Sequence, residues 1–310
     1  MNSKSRKYVS PLLLVLAAMI WGFAFSAQKS AEAVSPFLLG SARSFIATLF
    51  LIPIIIIFDR TSKSGRRLFS AKCKIDLTPT ELIGGTICGI ILALASFLQQ
   101  SGINAGTNSG KAAFITALYV VIVPIYALLL KKRAPINVWI SVVIAAFGFY
   151  LLCITGDFTI VPSDILVIMC AFIFPIHILA IDKYSPKCDG VRMSCVQFFV
   201  CGVLNLILAL IFESPINTTA LVSAILPIIY LGVGSSGIAY TLQIIGQKGV
   251  NPAAASILLS LESVFGVIGS VIFIGEKMSL REYLGCAVVL FAVILSQLDL
   301  KSILNKKKDS

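Results

Sequence analysis

The chain has 310 residues, 58% of them hydrophobic and only 13% charged, and a formal net charge of +11. Soluble domains carry about 25% charged residues, so this one has too little charge to solvate a globular surface and reads as an integral membrane protein. Most of the basic residues flank apolar runs instead of sharing a face, which excludes a nucleic-acid surface and makes them topology signals beside anionic lipid headgroups.

A membrane-spanning helix needs about 20 mostly apolar residues. Ten segments qualify: 11–29, 36–58, 81–100, 110–130, 136–153, 163–181, 193–212, 221–243, 252–274 and 280–298. The first opens with KSRKYVSPLLLVLAAMIWGFAFSAQ, which imitates a signal peptide, but further apolar spans follow at once, so it reads as an uncleaved helix. Trp21, Phe25 and Gln28 align on it. On the second, Arg43 lies between Gly40 and Ala47 on a small-residue face, about 11 Å from one boundary at 1.5 Å per residue. It could hold a substrate carboxylate, pair with Glu262, or anchor helices.

The third span offers Ser96, Gln99 and Gln100 near one end, and the fourth a weakly polar stripe of Ala112, Thr116, Tyr119 and Tyr126. His177, the sole histidine, follows Pro175 on the sixth, where packing is a readier role than proton relay. The eighth carries Tyr240 and Gln243 after the Gly- and Ser-rich stretch GVGSSGIAY. That stretch and the span-interior prolines Pro53, Pro124, Pro175 and Pro227 suggest bends or hinges. On the ninth, LLSLESVFGVIGSVIFIG sets Glu262 amid apolar residues, on one face with Ala255, Gly266 and Gly269. Small residues mark faces where helices approach closely, so Glu262 meets protein rather than lipid. An intramembrane carboxylate is either a proton-coupling or substrate-contact group or a buried anchor.

Orientation follows from the basic residues. With the N-terminus inside, inside segments hold twenty Lys and Arg, outside segments hold four, and Arg43 lies within a span. That bias puts both termini in the cytoplasm. The junctions QQSGINAGTNSGKAA and QIIGQKGVNPAAA fall at the same place in each half, matching Gln99, Gly102, Asn108 and Ala112 to Gln243, Gly246, Asn251 and Ala255. Five spans per half is odd, so the halves insert with opposite orientation, and inverted repeats place a binding site at their interface. An offset of 143 pairs Tyr119 with Glu262. Asn251-Pro252-Ala253 spells the water-channel signature but reads better as a helix start.

No HExxH, GxSxG or phosphate-binding loop occurs, so the chain is not read as an enzyme, and no cofactor or metal is expected. The eight cysteines mostly lie in apolar runs and read as small hydrophobes. WGFAFSAQK, SPFLLGSARSF, SGKAAFITALYVVIVPIYALLLKKR and NPAAASILLSLESVFGVIGSVIFIGEKMS resemble the EamA family of the drug/metabolite transporter superfamily along essentially the whole chain. The resemblance implies an all-α membrane protein of ten transmembrane helices in two inverted five-helix repeats, 1–155 and 156–310, within one membrane domain. It also implies a central cavity lined mainly by helices 1, 3, 4, 6, 8 and 9. Trp21, Gly22, Arg43, Pro124, Glu262 and Glu276 occupy positions that match the family's motifs. Two departures are Ser263, where a proline is common, and Lys131-Lys132-Arg133, where a Gly-Glu pair is common.

The expected function is secondary transport, as an exporter of small organic metabolites such as amino acids, from a plasma or inner membrane. The expected partners are a small-molecule substrate, membrane lipid and, through Glu262, protons. An uncoupled facilitator and, less readily, a non-transporting scaffold or sensor are the alternatives. No residue sets an oligomeric state.

Overall fold

A computed structural model describes residues 3–61, 76–107, 109–153, 161–248, 250–269 and 279–298, and no strand occurs among them. The first three spans are single helices, α1 (Ser3–Ser30), α2 (Pro36–Thr61) and α3 (Pro79–Asn104). The fourth is divided into α4 (Ser109–Ala117) and α5 (Tyr119–Leu129) and is followed by α6 (Ile136–Cys153), α7 (Pro162–Tyr184) and α8 (Gly190–Phe212). The eighth comprises α9 (Thr218–Ser223), α10 (Ile225–Ile229), a π-helical segment (Tyr230–Ala239) and α11 (Tyr240–Gly246). The ninth is divided into α12 (Pro252–Leu259) and α13 (Glu262–Gly269), and α14 (Leu280–Gln297) is the tenth.

Nine spans among the described residues are long and apolar enough to cross a membrane, and the fifth adds a shorter apolar helix over Ile136–Leu151. The repeat boundary expected at 155–156 lies outside the described residues, as do Asn108, Gly275, Glu276, the basic residues of 62–75 and the C-terminal lysines.

Polar residues between the apolar runs begin the helices. Thr78 and Glu81 form a capping box at α3: the Glu81 N–H donates to Thr78 Oγ1 at 3.2 Å, and the Thr78 N–H donates to Glu81 Oε2 at 2.8 Å. The second Glu81 oxygen accepts from the Asp189 N–H at 3.1 Å, tying α3 to the start of α8. Asp189 in turn caps α8, accepting from the Val191 and Arg192 N–H groups. Asn251 Oδ1 accepts from the Ala253 N–H at 3.0 Å with Pro252 at the first helical position, so the Asn-Pro-Ala stretch is a helix start. One cap comes from a distant part of the chain. Glu213, just past α8, accepts from the Phe37 and Leu38 N–H groups, each at 2.9 Å, at the N-terminus of α2.

In packing, α2 lies against α8 and the π segment, α3 against α7 and α8, and α1 against α13. α6 and α14 lie mainly against one another. Side chains such as Leu49, Phe147, Leu210 and Phe291 point outward from the bundle, as lipid contact requires. Charge is confined largely to the helix ends. There Arg192 Nη2 meets both carboxylate oxygens of Asp59, at 2.7 and 2.8 Å. Lys111 pairs with Asp164, and Lys132 with Asp182.

Candidate functional site

The site is built around two interruptions at equivalent positions. α4 stops at Ala117 and α5 begins at Tyr119; α12 stops at Leu259 and α13 begins at Glu262. The turn residue Leu118 and its counterpart Leu261 differ by the same offset of 143 that pairs Tyr119 with Glu262. Both turns tighten to i→i+3 hydrogen bonding. Leu118 and Val121 N–H groups donate to Ile115 and Leu118, and Leu261 and Ser263 N–H groups donate to Leu258 and Ser260. Mid-helix tightening of this kind accompanies hinges or strain, and interrupted spans are how transporters expose polar groups at mid-membrane.

At the interruptions the two halves touch. The Tyr119 side chain faces the Glu262 carboxyl group. One residue on, Ser263 Oγ donates to the Ala113 carbonyl at 3.2 Å, so the serine that departs from the family's proline joins the ninth span to the fourth.

Beside these contacts lies a narrow cavity, whose space of about 500 Å³ includes the part open to the surroundings. α1 contributes Trp21, Ala24, Phe25 and Gln28, one face of the helix, and α2 contributes Arg43. Gln99, Thr116 and Tyr119 come from the third and fourth spans, and Phe174, His177 and Ile178 from α7. Ser235, Tyr240 and Gln243 come from the eighth span, Leu259 and Glu262 from the ninth. Neither α6 nor α14 contributes a lining residue.

Of the residues singled out from the sequence, Ser96 and Gln100 do not line this cavity. Gln100 turns away and donates to the Gln28 carbonyl at 3.3 Å and to Asn104 Oδ1 at 2.7 Å, fastening α3 to α1. Its neighbour Gln99 faces inward and donates to Thr116 Oγ1 at 3.1 Å. Ser96 is buried between helices. His177 Nε2 lies 3.0 Å from Gln197 Oε1, and its ring stands edge-on to Tyr240, which is also edge-on to Trp21. Arg43 and Glu262 both line the cavity but form no ion pair among the described residues: Arg43 Nε donates to Ser236 Oγ at 3.0 Å, and Glu262 lies beside Tyr119. Gln28 Oε1, Gln243 Oε1 and Glu262 Oε1 are buried without a hydrogen-bond partner among the described residues.

The lining residues not singled out were Ala24, Phe174, Ile178, Ser235 and Leu259. All except Ser235 are apolar and differ from packing residues only by position: Ala24, Phe174 and Leu259 lie three or four residues from Trp21, Gln28, His177 or Glu262, and Ile178 adjoins His177. Among the described residues, no three His, Cys, Asp or Glu side chains gather so as to hold a metal ion. The lining can enclose an amphipathic molecule: aromatic surfaces for its apolar part, amides, a carboxyl group and a guanidinium for its polar part.

Comparison with known proteins agrees with this architecture. An uncharacterized transporter of Archaeoglobus fulgidus is 30% identical over 297 residues, covering 94% of this chain and 87% of its own length. The uncharacterized inner membrane transporter YedA of Escherichia coli is 22% identical over 292 residues, covering 92% and 90%. A solved crystal structure with 18% identity superposes with a TM-score of 0.73 over 97% of this chain and 99% of its own, which supports the fold. The model of the EamA-like transporter family matches twice, over residues 9–154 and 161–298. Matched in both halves and across nearly its whole length, the chain belongs to the EamA-like transporter family, and it is a multi-pass membrane transporter.

Proposed function

We propose that the protein is a secondary transporter that exports small organic metabolites, amino acids or related amphipathic compounds, by alternating access between its halves 1–155 and 156–310. Both termini face the cytoplasm of a plasma or inner membrane. The observation that carries this reading is the shared cavity: residues of both halves, from Trp21 to Tyr119 and from Phe174 to Glu262, line it, and the fourth and ninth spans are interrupted beside it. A site between two family-matched halves can be opened to either side by rocking one half against the other. The cytoplasmic termini are supported by the distribution of Lys and Arg, twenty against four.

Glu262 is the coupling group in this reading, since it is the only carboxylate among the lining residues. In proteoliposomes carrying a pH gradient, Glu262→Gln abolishes the dependence of flux on that gradient while leaving exchange down a substrate gradient measurable. Gradient-driven flux unchanged in the variant refutes the coupling. A second reading, an uncoupled facilitator, is favoured by the burial of Glu262 beside Tyr119, which would equally suit a carboxyl group that only holds two helices together. For a facilitator, the wild-type protein itself shows no response to the pH gradient.

A further inference from the structure

The π-helical segment is the least regular part of the eighth span, and it organises one wall of the cavity. It can do so because of Gly232. A Cβ there would stand 2.5 Å from Ile46 Cγ2 and 3.2 Å from the Arg43 carbonyl, so a larger residue would force the segment away from α2. At this close approach two adjacent serines reach across in different ways. The Ser236 hydroxyl accepts from Arg43 Nε at 3.0 Å. The Ser235 carbonyl accepts from Trp21 Nε1 at 3.1 Å. One dipeptide therefore orients both a cation and an aromatic ring of the lining.

A guanidinium carries five N–H donors in a planar fork. In Arg43 only Nε is engaged, and no other hydrogen bond or ion pair of this side chain is formed among the described residues. Arg43 is nonetheless only 7% exposed. A buried cation without a counter-ion is costly to stability, so its charge is normally answered by an anion. Glu262, the carboxyl group of the same lining, forms no ion pair with it among the described residues. Arg43 is also the only guanidinium or ammonium group among the lining residues. A planar fork accepts the oxygens of a carboxylate or a phosphate bidentately, but one guanidinium balances the single charge of a carboxylate and only part of a phosphate's. Phe25, Phe174, Ile178 and Leu259 supply apolar surface for the rest of such a molecule.

We infer that this cavity recognises its substrate by a carboxylate group held in the free fork of Arg43, with Ser236 as the residue that positions the fork. The inference rests on the cavity being the substrate site of the proposed transporter, and it narrows the substrates to carboxylates with an apolar body.

The test is binding to the purified full chain in detergent, followed by the shift in melting temperature across a titration. The probes are 4-methylpentanoate, leucine and phenylalanine, each against its carboxamide. The acids are expected to bind and the amides to bind roughly ten- to a hundred-fold more weakly, the value of a charge-assisted hydrogen bond. In Arg43→Gln the acid-to-amide ratio falls toward one, a change that a merely weakened fold would not produce, because it would affect acid and amide alike. Should Arg43→Gln fail to fold, Ser236→Ala keeps the test open, and it lowers acid affinity by about three- to ten-fold. Amides binding as well as acids, no acid binding at all, or an unchanged ratio in both variants overturns the inference. The transport reading is judged separately, by counterflow in proteoliposomes, and stands if amides or other uncharged metabolites are carried.

Discussion

Gly22 on α1 sits against the backbone of α13 where Glu262 begins that helix, and replacing it tests whether this seam sets the geometry of the site. A Cβ at Gly22 would lie 2.6 Å from Phe265 Cβ, 2.7 Å from the Glu262 carbonyl oxygen and 2.7 Å from the Gly266 nitrogen. Carbon atoms rest at about 3.5–4.0 Å, so the two helices must part by about 1 Å. Two of the three obstacles are backbone atoms and cannot rotate aside. Overpacking of this kind costs about 1–3 kcal/mol, and the upper half of that range applies here. For a chain of this length that is a fall in melting temperature of roughly 4–6 °C. Gly266, directly across the seam, behaves differently: a Cβ there meets only the Gly22 carbonyl, at an ordinary 3.5 Å. Gly266→Ala is therefore neutral or slightly stabilising, since alanine favours a helix by up to about 1 kcal/mol over glycine. The assay is thermal unfolding in detergent followed by circular dichroism, with substrate flux measured on the same preparations. Gly22→Ala melts lower and loses flux, because Glu262 moves away from Trp21 and Phe25, while Gly266→Ala does neither. Equal melting of the two variants, or a more damaging Gly266→Ala, refutes the assignment of this seam as the close contact.

Two further outcomes follow from groups outside the cavity. Arg192 and Asp59 form a buried pair, so Arg192→Gln takes a charged partner from a buried carboxylate and costs up to about 3–5 kcal/mol. The double variant Asp59→Asn/Arg192→Gln melts above Arg192→Gln alone, and simple addition of the two single effects would contradict the pairing. Glu213→Gln leaves one oxygen to serve the two N–H groups at the start of α2 and lowers stability by about 1 kcal/mol, with no change in substrate affinity.

Much of this fold was legible because a bilayer imposes few solutions on apolar runs, and each polar residue in such a run must find a protein partner. Glu262 and Tyr119 could be paired from the offset between the halves, and both line the cavity. The interruptions beside them could not be anticipated, since Ala117-Leu118 and Ser260-Leu261 contain no Gly or Pro; tertiary contacts between the halves accompany them, not local breakers. The π-helical segment was visible only as a Gly- and Ser-rich stretch, because its hydrogen-bonding register depends on the approach to α2. Gln99 and Gln100 show the limit of composition: neighbours on a helix point about 100° apart, so one enters the cavity and the other ties α3 to α1. Arg43 could be read as a substrate group, a partner for Glu262 or a helix anchor, and its bond to Ser236, with no ion pair to Glu262 among the described residues, sets aside only the second.

Trp21 has a practical consequence. The chain contains only two tryptophans, and the other, Trp139, lies on α6, away from the cavity. Replacing Trp139 with phenylalanine would leave a single indole, its N–H anchored to the Ser235 carbonyl and its ring set against Tyr240. Its emission would then come from the cavity wall alone, so the protein carries a built-in optical gauge of occupancy that needs no attached label.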